Sequence, residues 1–296
     1  VLFRSNNIMA VTKKSDILSG DQILADAIIA FQESGVMTPL VKSANASKGA
    51  GTIKFPYYGD PASSNVGSAT DGSDYTTTTA RSVSGATATL AEYVVRSDVS
   101  DLANQTSPQN LYSDVGSIIG QELALKADDL LTDLFSGFSQ TEAGAATTLT
   151  LDHVFGASRQ LHAAGAPMPF NLVLSPKQIW GGKGIQNLLV HTNSGSQVAD
   201  NPLSQEMLSS GMVGQLAGNS VYWSGEIDEN VSAGGDAAGA MFSRGALGIG
   251  FSSAGPVKVA QQRDESARLT EFIGIMVAGV IEVKDTFGVY ILSDVS

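Results

Sequence analysis

Apolar and polar positions along the chain follow two periods in turn, predicting strands first, helices in the middle and strands again at the end. Over residues 21–35, Ile23, Leu24, Ala27, Ile28 and Phe31 share one helical stripe, with Asp21 placed as an N-cap and Gly35 as a left-handed terminator. Residues 42–51 are small and polar, as in an arm or linker. Ile53, Phe55 and Tyr57 then alternate with Lys54, Pro56 and Tyr58, which predicts an edge strand because Pro56 has no N–H for a ladder. Residues 59–86 are Gly, Ser, Thr and Asp with almost no large apolar side chain. Such a stretch cannot bury a core of its own, so it is either disordered or a long hairpin ordered by something outside it, with Thr87 to Val95 as its second strand.

Ser107-Pro108 reads as a cap with proline at the first helical position, and Leu111, Val115, Ile118, Ile119, Leu123, Ala127, Leu130 and Leu134 recur at helical spacing. They predict a helix over about 108–135, some 27 residues and ~40 Å long. Thr150 caps a second helix carrying Val154, Ser158 and Leu161, stopped by Gly165 and Pro167. Asn171 to Leu174 is a short buried strand, and Ser175-Pro176 repeats the cap and proline ahead of a glycine-weakened helix. From Gly195 to Gly239 the chain is loop-rich with one strand at Ser220 to Ser224. Strands are expected at Ala246–Phe251, Val257–Gln261, Leu269–Ala278 and Val280–Leu292. Strands, helices and strands in succession give an α+β class, and no repeat of 20–50 residues supports a solenoid or propeller.

Composition narrows what such a fold can do. The 296 residues include no cysteine, which removes disulfides, thiolate nucleophiles and Cys-ligated metals. Charged residues make up only 16% while the formal charge is −12, a balance unsuited to gripping a polyanion. Glycine, at 32 residues, is in excess. No apolar run is long enough to span a bilayer as a helix, so no membrane partner is expected. Val1-Leu2-Phe3-Arg4-Ser5 precedes a candidate initiator at Met9, and residues 1–8 are read as foreign to the native chain.

Candidate chemistry is scattered. Gly250-Phe251-Ser252-Ser253-Ala254 lacks the closing glycine of a nucleophile elbow, and Gly245, Gly248 and Gly250 have no following helix to present to a phosphate. Gly181-Gly182-Lys183-Gly184 has no Ser or Thr after its lysine. His153, His162 and His191 are not at metal-ligand spacing. Glu122, Asp128, Asp129 and Asp133 read as a solvated helix face, and Asp71-Gly72-Ser73-Asp74 as a turn without the remaining ligands of a calcium loop. No catalytic, cofactor-binding or metal-ligating residue is assigned, and no enzyme is expected.

The order of segments resembles a known family. A flexible arm, a Gly/Ser/Thr hairpin at 53–95, the stretch Glu92-Tyr93-Val94-Val95-Arg96-Ser97-Asp98-Val99-Ser100-Asp101-Leu102, the long helix, a Gly-rich middle domain opening at Gly165-Ala166-Pro167 and terminal strands are similar to a tailed-phage major capsid protein of the Hong Kong 97 type. The resemblance implies an N-terminal arm at 1–52, an extended loop at 53–96, a peripheral domain at 97–164 and 256–278 built on the spine helix, and an axial domain at 165–255 and 279–296. It implies self-assembly through pentamers and hexamers into an icosahedral head, in the host bacterial cytoplasm, enclosing double-stranded DNA without sequence-specific binding. The virion would be its location, and a separate scaffolding protein, a portal and a decoration protein its further partners. Some relatives crosslink a loop lysine to an asparagine, but no lysine lies between Lys54 and Lys126, so that bond is not expected. An encapsulin-like shell and a phage tail or fibre protein are the alternatives.

Overall fold

The computed structural model describes residues 20–59, 65–75, 83–107, 111–181, 183–185, 215–216, 218–231 and 234–296. In chain order its first elements are α1 (Gly20–Ser34), β1 (Lys42–Asn45), β2 (Thr52–Tyr58), β3 (Val83–Thr89), β4 (Ala91–Ser100), α2 (Asp101–Thr106) and α3 (Leu111–Thr132). There follow β5 (Thr141–Ala143), α4 (Leu151–Ala163), β6 (Phe170–Leu174), α5 (Pro176–Trp180), β7 (Gln215–Leu216) and β8 (Asn219–Trp223). The chain ends in β9 (Asp236–Ser243), β10 (Leu247–Phe251), β11 (Lys258–Asp264), β12 (Leu269–Glu282) and β13 (Gly288–Asp294). It divides into two compact units, one of residues up to 34 with 92–124 and 256–276, the other of 35–91, 125–255 and 277–296.

In the first unit two glycines one turn apart on α3 let its backbone touch α1. A Cβ at Gly120 would stand 2.2 Å from the Ala27 carbonyl oxygen, and one at Gly116 would stand 3.0 Å from that of Ile23. The same device recurs on β12, where a Cβ at Gly274 would meet Ile119 and Val95. β12 pairs antiparallel with β11 from Lys258↔Ile275 to Asp264↔Leu269, and Phe272 is buried there against the Tyr112 ring at 5.2 Å. Arg263 grips the Asp101 carboxylate through both terminal nitrogens at 2.5 and 2.6 Å, and Arg96 bridges Asp98 and Glu271.

Several boundaries differ from those the sequence predicts. Asp21 lies inside α1, which already includes Gly20, and Gly35 is not among the glycines at positive φ. Ser107 does not open the long helix. It closes α2, donating its N–H to Ala103 at 2.9 Å, while Ser100 caps that short helix and α3 begins at Leu111, with 22 residues. Pro108 lies outside the described residues.

The second unit is organised around a six-stranded sheet in the order β5-β13-β9-β6-β8-β7, with β6/β8 and β13/β5 parallel and the other pairs antiparallel. Every residue of β6 is buried, and α4 adds Val154, Ala157 and Leu161 to its core. Gln178, fully buried, spends its amide on Ala237 O and Ser293 Oγ and accepts from Ser175 N, so the capped α5 is locked to two strands without an unpaired polar group. β9 begins at Asp236, inside a stretch whose small residues read as loop; a Cβ at Gly239 would fall 2.6 Å from Leu174, so smallness here serves close packing.

A second set of strands in this unit shows where apolar periodicity misleads. Residues 42–45, expected as a linker, form β1 and pair parallel with β10, held by backbone bonds that need no apolar side chains. The expected strand at 87–95 is two strands, β3 and β4, with Leu90 between them donating its N–H to Gly51. The break expected at Gly279 is absent: β12 runs through it, and a side chain there would stand 2.3 Å from the Thr89 carbonyl oxygen. The true interruption is the 3-10 turn Asp285–Phe287 before β13.

Candidate assembly surfaces

The hairpin of β2 and β3 is rooted in the second unit, and its described residues beyond the root are largely exposed. Along β2 the alternation works as the sequence predicts, burying Ile53 and Phe55 with Ala46, Ala88 and Val283. Gly248 and Gly250 on β10 make room for them: a Cβ would lie 3.1 Å from the Phe55 ring and 2.3 Å from Ile53. These glycines therefore seat the hairpin and leave no phosphate cradle. Further out the apolar groups face solvent, with Tyr58 67% and Val66 79% exposed. The described tip, residues 65–75, is held chiefly by itself, through Gly67 N–H to Tyr75 Oη at 2.9 Å and a Thr70–Ser73 turn with Gly72 at φ +73°.

Other half-exposed aromatic groups sit elsewhere in this unit. Trp180 and Trp223 meet edge to face at 5.9 Å, each with about half of its surface open.

The acidic stretch late in α3 departs at one residue from the solvated face that its sequence predicts. Asp128 is buried and accepts the backbone N–H groups of Val36 at 2.8 Å and Met37 at 3.0 Å, clamping the chain just after α1. Burial pushes its carboxyl up to about 6, with Glu226 adding in the same direction and the backbone donors opposing. Helical periodicity hid this role because the partners lie more than ninety residues away and are main-chain atoms. Asp129 instead pairs with Lys126, while Asp133 and Glu122 are exposed.

The remaining candidates are dispersed. Ser252 closes a tight turn onto Gly255, with its hydroxyl used by Ala254 N and Gly255 O. Lys183 pairs with Asp294, whose carboxyl its hydrogen bond holds down at about 2. His153 completes the Thr150 cap of α4 through Nδ1, and His162 packs edge-on against Phe170 at 4.9 Å. His191 and Gly182 lie outside the described residues. Among the described residues no three His, Asp or Glu side chains gather to hold a metal ion. No described helix is long and apolar enough to cross a membrane.

No family model matches the chain, and no curated protein matches it in sequence. Solved structures do. The capsid of Ralstonia phage GP4 superposes with a TM-score of 0.68 over 99% of this chain and 98% of that one, at 11% identity. A structure from Mycobacterium phage Che8 gives a TM-score of 0.59, 15% identity and coverage of 97% and 98%. A virus-like particle from Pyrococcus furiosus matches at TM-score 0.58 and 10% identity, over 92% of this chain and 98% of that one. With nearly full coverage of both partners, the chain has the α+β fold of tailed-phage capsid subunits.

Proposed function

We propose that this chain is a major capsid protein, which self-assembles into the icosahedral head that encloses the double-stranded DNA of a tailed phage. The end-to-end match with the capsid of Ralstonia phage GP4 carries this reading. The hairpin supports it, because a neighbour is what would cover its exposed apolar groups. In this reading residues 53–96 are the extended loop, 97–164 with 256–278 the peripheral domain on the spine of α3, and 165–255 with 279–296 the axial domain around which pentamers and hexamers form. The role is structural, the location is the virion, and contacts between subunits are noncovalent. A separate scaffolding protein, a portal and a decoration protein complete the head, which is assembled in the host cytoplasm. A chain so acidic encloses DNA without gripping it.

Negative-stain imaging of the expressed chain tests the proposal. Rings, shells or curved shell fragments are expected; tubes or trimers would point to a tail or fibre protein, and a monomer at high concentration would refute assembly. Uniform closed shells from the chain alone would remove the separate scaffolding protein. The match to the Pyrococcus furiosus particle keeps one second reading, an encapsulin-like shell, in which particles from the native source would hold a cargo protein and no DNA or portal.

A further inference from the structure

A groove of about 1520 Å³ opens in the second unit between the root of the hairpin, β1, the turn after α4 and the 3-10 turn before β13. Lys42, Lys54, Arg244 and Lys284 line it, and among the described residues no carboxylate does. The ion pairs among the described residues use Arg96, Lys126, Lys177, Lys183 and Arg263, and Lys42, Lys54 and Arg244 stand outside them. Asp285, next to Lys284 in sequence, gives both carboxylate oxygens to Ser139. The cations are positioned rather than loose. Arg244 Nε donates to Val41 O at 3.3 Å, Lys284 Nζ stands 3.8 Å over the Phe287 ring, and the Lys54 stem lies across Gly85, where a side chain would collide with it. Tyr57 and Tyr58 line the same groove, Tyr58 with 67% of its surface exposed.

We infer that this groove holds a stretch of the phosphodiester backbone of the DNA that the shell encloses. The inference rests on the shell-forming reading above and deepens it, because it gives the enclosed DNA one point of contact on each copy. Four cations with no carboxylate among the lining residues make an anion site. The volume exceeds the usual ~300–1,000 Å³ of small-molecule pockets, so the ligand is a chain of charges rather than a single ion. Duplex DNA carries one charge per ~1.7 Å of its axis, about twice the density of an extended acidic peptide at ~3.3 Å per residue, and it is the polyanion that the shell reading sets beside every copy. The formal charge of −12 does not oppose this locally. Salt screens exposed charges beyond ~8 Å at physiological ionic strength, so a phosphate in the groove answers to its four cations and not to distant carboxylates. The contact is weak and independent of base sequence, with Kd of ~1–100 μM, so DNA is touched without being gripped.

Fluorescence anisotropy of a short labelled duplex, titrated with the full chain over a range of salt concentrations, tests the inference. With four phosphate contacts, log Kobs should fall against log[salt] with a slope of about −3.6. Lys54→Gln with Lys284→Gln should weaken binding at least about tenfold at ~0.1 M salt and bring the slope to about −1.8. Lys54→Arg with Lys284→Arg, which keeps the charge, should bind within about twofold of the unaltered chain, as should Lys258→Gln with Arg268→Gln, two cations that line no part of the groove. A second readout uses DNA-filled particles from the native source: ultraviolet irradiation should cross-link nucleotides to the peptide that carries Tyr57 and Tyr58. Undiminished binding by the glutamine variant would overturn the inference, as would particles in which that peptide stays unlinked. Polyglutamate that displaces the duplex at equal charge concentration would overturn it in favour of an acidic polypeptide. Shells formed by a chain that binds no duplex would sink the inference and leave the capsid reading standing. Binding by a chain that forms no shells would sink the capsid reading and the enclosed DNA with it.

Discussion

The six-stranded sheet and the β2–β3 hairpin belong to the same unit and use strands of similar length, yet they satisfy their apolar groups in opposite ways. In the sheet, β6 is buried at every position and β9 at all but one, under a helix supplied by the same chain. In the hairpin, burial stops at Ile53, Phe55 and Ala88, and Tyr58, Val83, Val66 and Tyr75 are left to solvent. A two-stranded ribbon is marginal in water unless something packs on it. The sheet therefore answers to the stability of the monomer, and in the proposed function the hairpin answers to contacts between copies.

Two substitutions should break that comparison cleanly. Replacing residues 59–82 by Asn-Gly joins β2 to β3 through a two-residue turn that closes directly on the Tyr58↔Val83 pair. It is expected to abolish sedimenting assemblies while denaturant unfolding of the monomer shifts by less than about 0.5 kcal/mol. Phe242→Ala should do the reverse. Phe242 is fully buried on β9 against Phe135 at 5.7 Å, so truncation should cost the monomer about 3–5 kcal/mol in the same titration. A loss of monomer stability on shortening the hairpin would show that it belongs to the core.

The contrast also explains what was readable in the sequence. The hairpin was legible because lack of apolar residues over 59–86 is a local property, and β6 was legible because Phe170 to Leu174 is a continuous apolar run between breakers. β1 was not, since its residues are held through main-chain bonds to β10, about two hundred residues away. Gly279 read as a break between two strands but marks a close approach to Thr89, and such approaches depend on partners that periodicity does not record. Asp128 looked like its exposed neighbours because its acceptor role is owed to the chain around Val36 and Met37.

Asp128 gives the next largest effect and carries a pH signature. Its folded pKa, about 6, lies above the ordinary carboxylate value of 3.8, so the native state holds a proton that the unfolded state has released. Monomer stability should therefore rise as pH falls from about 7.5 to 5, by about 1.4 kcal/mol. Glu282, also raised by burial, adds a smaller slope of the same sign. Asp128→Asn should flatten most of this dependence. Asp128→Ala leaves the Val36 and Met37 N–H groups without an acceptor and should destabilise by about 2–4 kcal/mol at pH 5, but by less at pH 8, where it also removes a buried charge. Thermal unfolding of the three proteins at both pH values measures this; a wild-type curve that is level across the range would remove the buried-charge account.

The smallest effect separates the two regions most sharply, because it applies one backbone strain to both. Gly165, after α4, and Gly72, in the hairpin tip, have φ of +69° and +73°, and a Cβ at either position would meet nothing within 4 Å. Alanine at either site thus differs from glycine only in the cost of the left-handed conformation, about 1 kcal/mol. At Gly165 the chain must hold that conformation for α4 to enter β6, since Gly165 N and Ala166 N bond back to His162 and Leu161. The full cost should then appear in global unfolding. At Gly72 the turn can relax without disturbing Ile53 or Phe55, so Gly72→Ala should leave monomer unfolding unchanged and instead raise the protein concentration needed for assembly by about fivefold, the same free energy expressed at a joint between copies. Equal shifts of monomer stability at the two glycines would mean that tip and body unfold as one cooperative element, and the division between them would lose its physical basis.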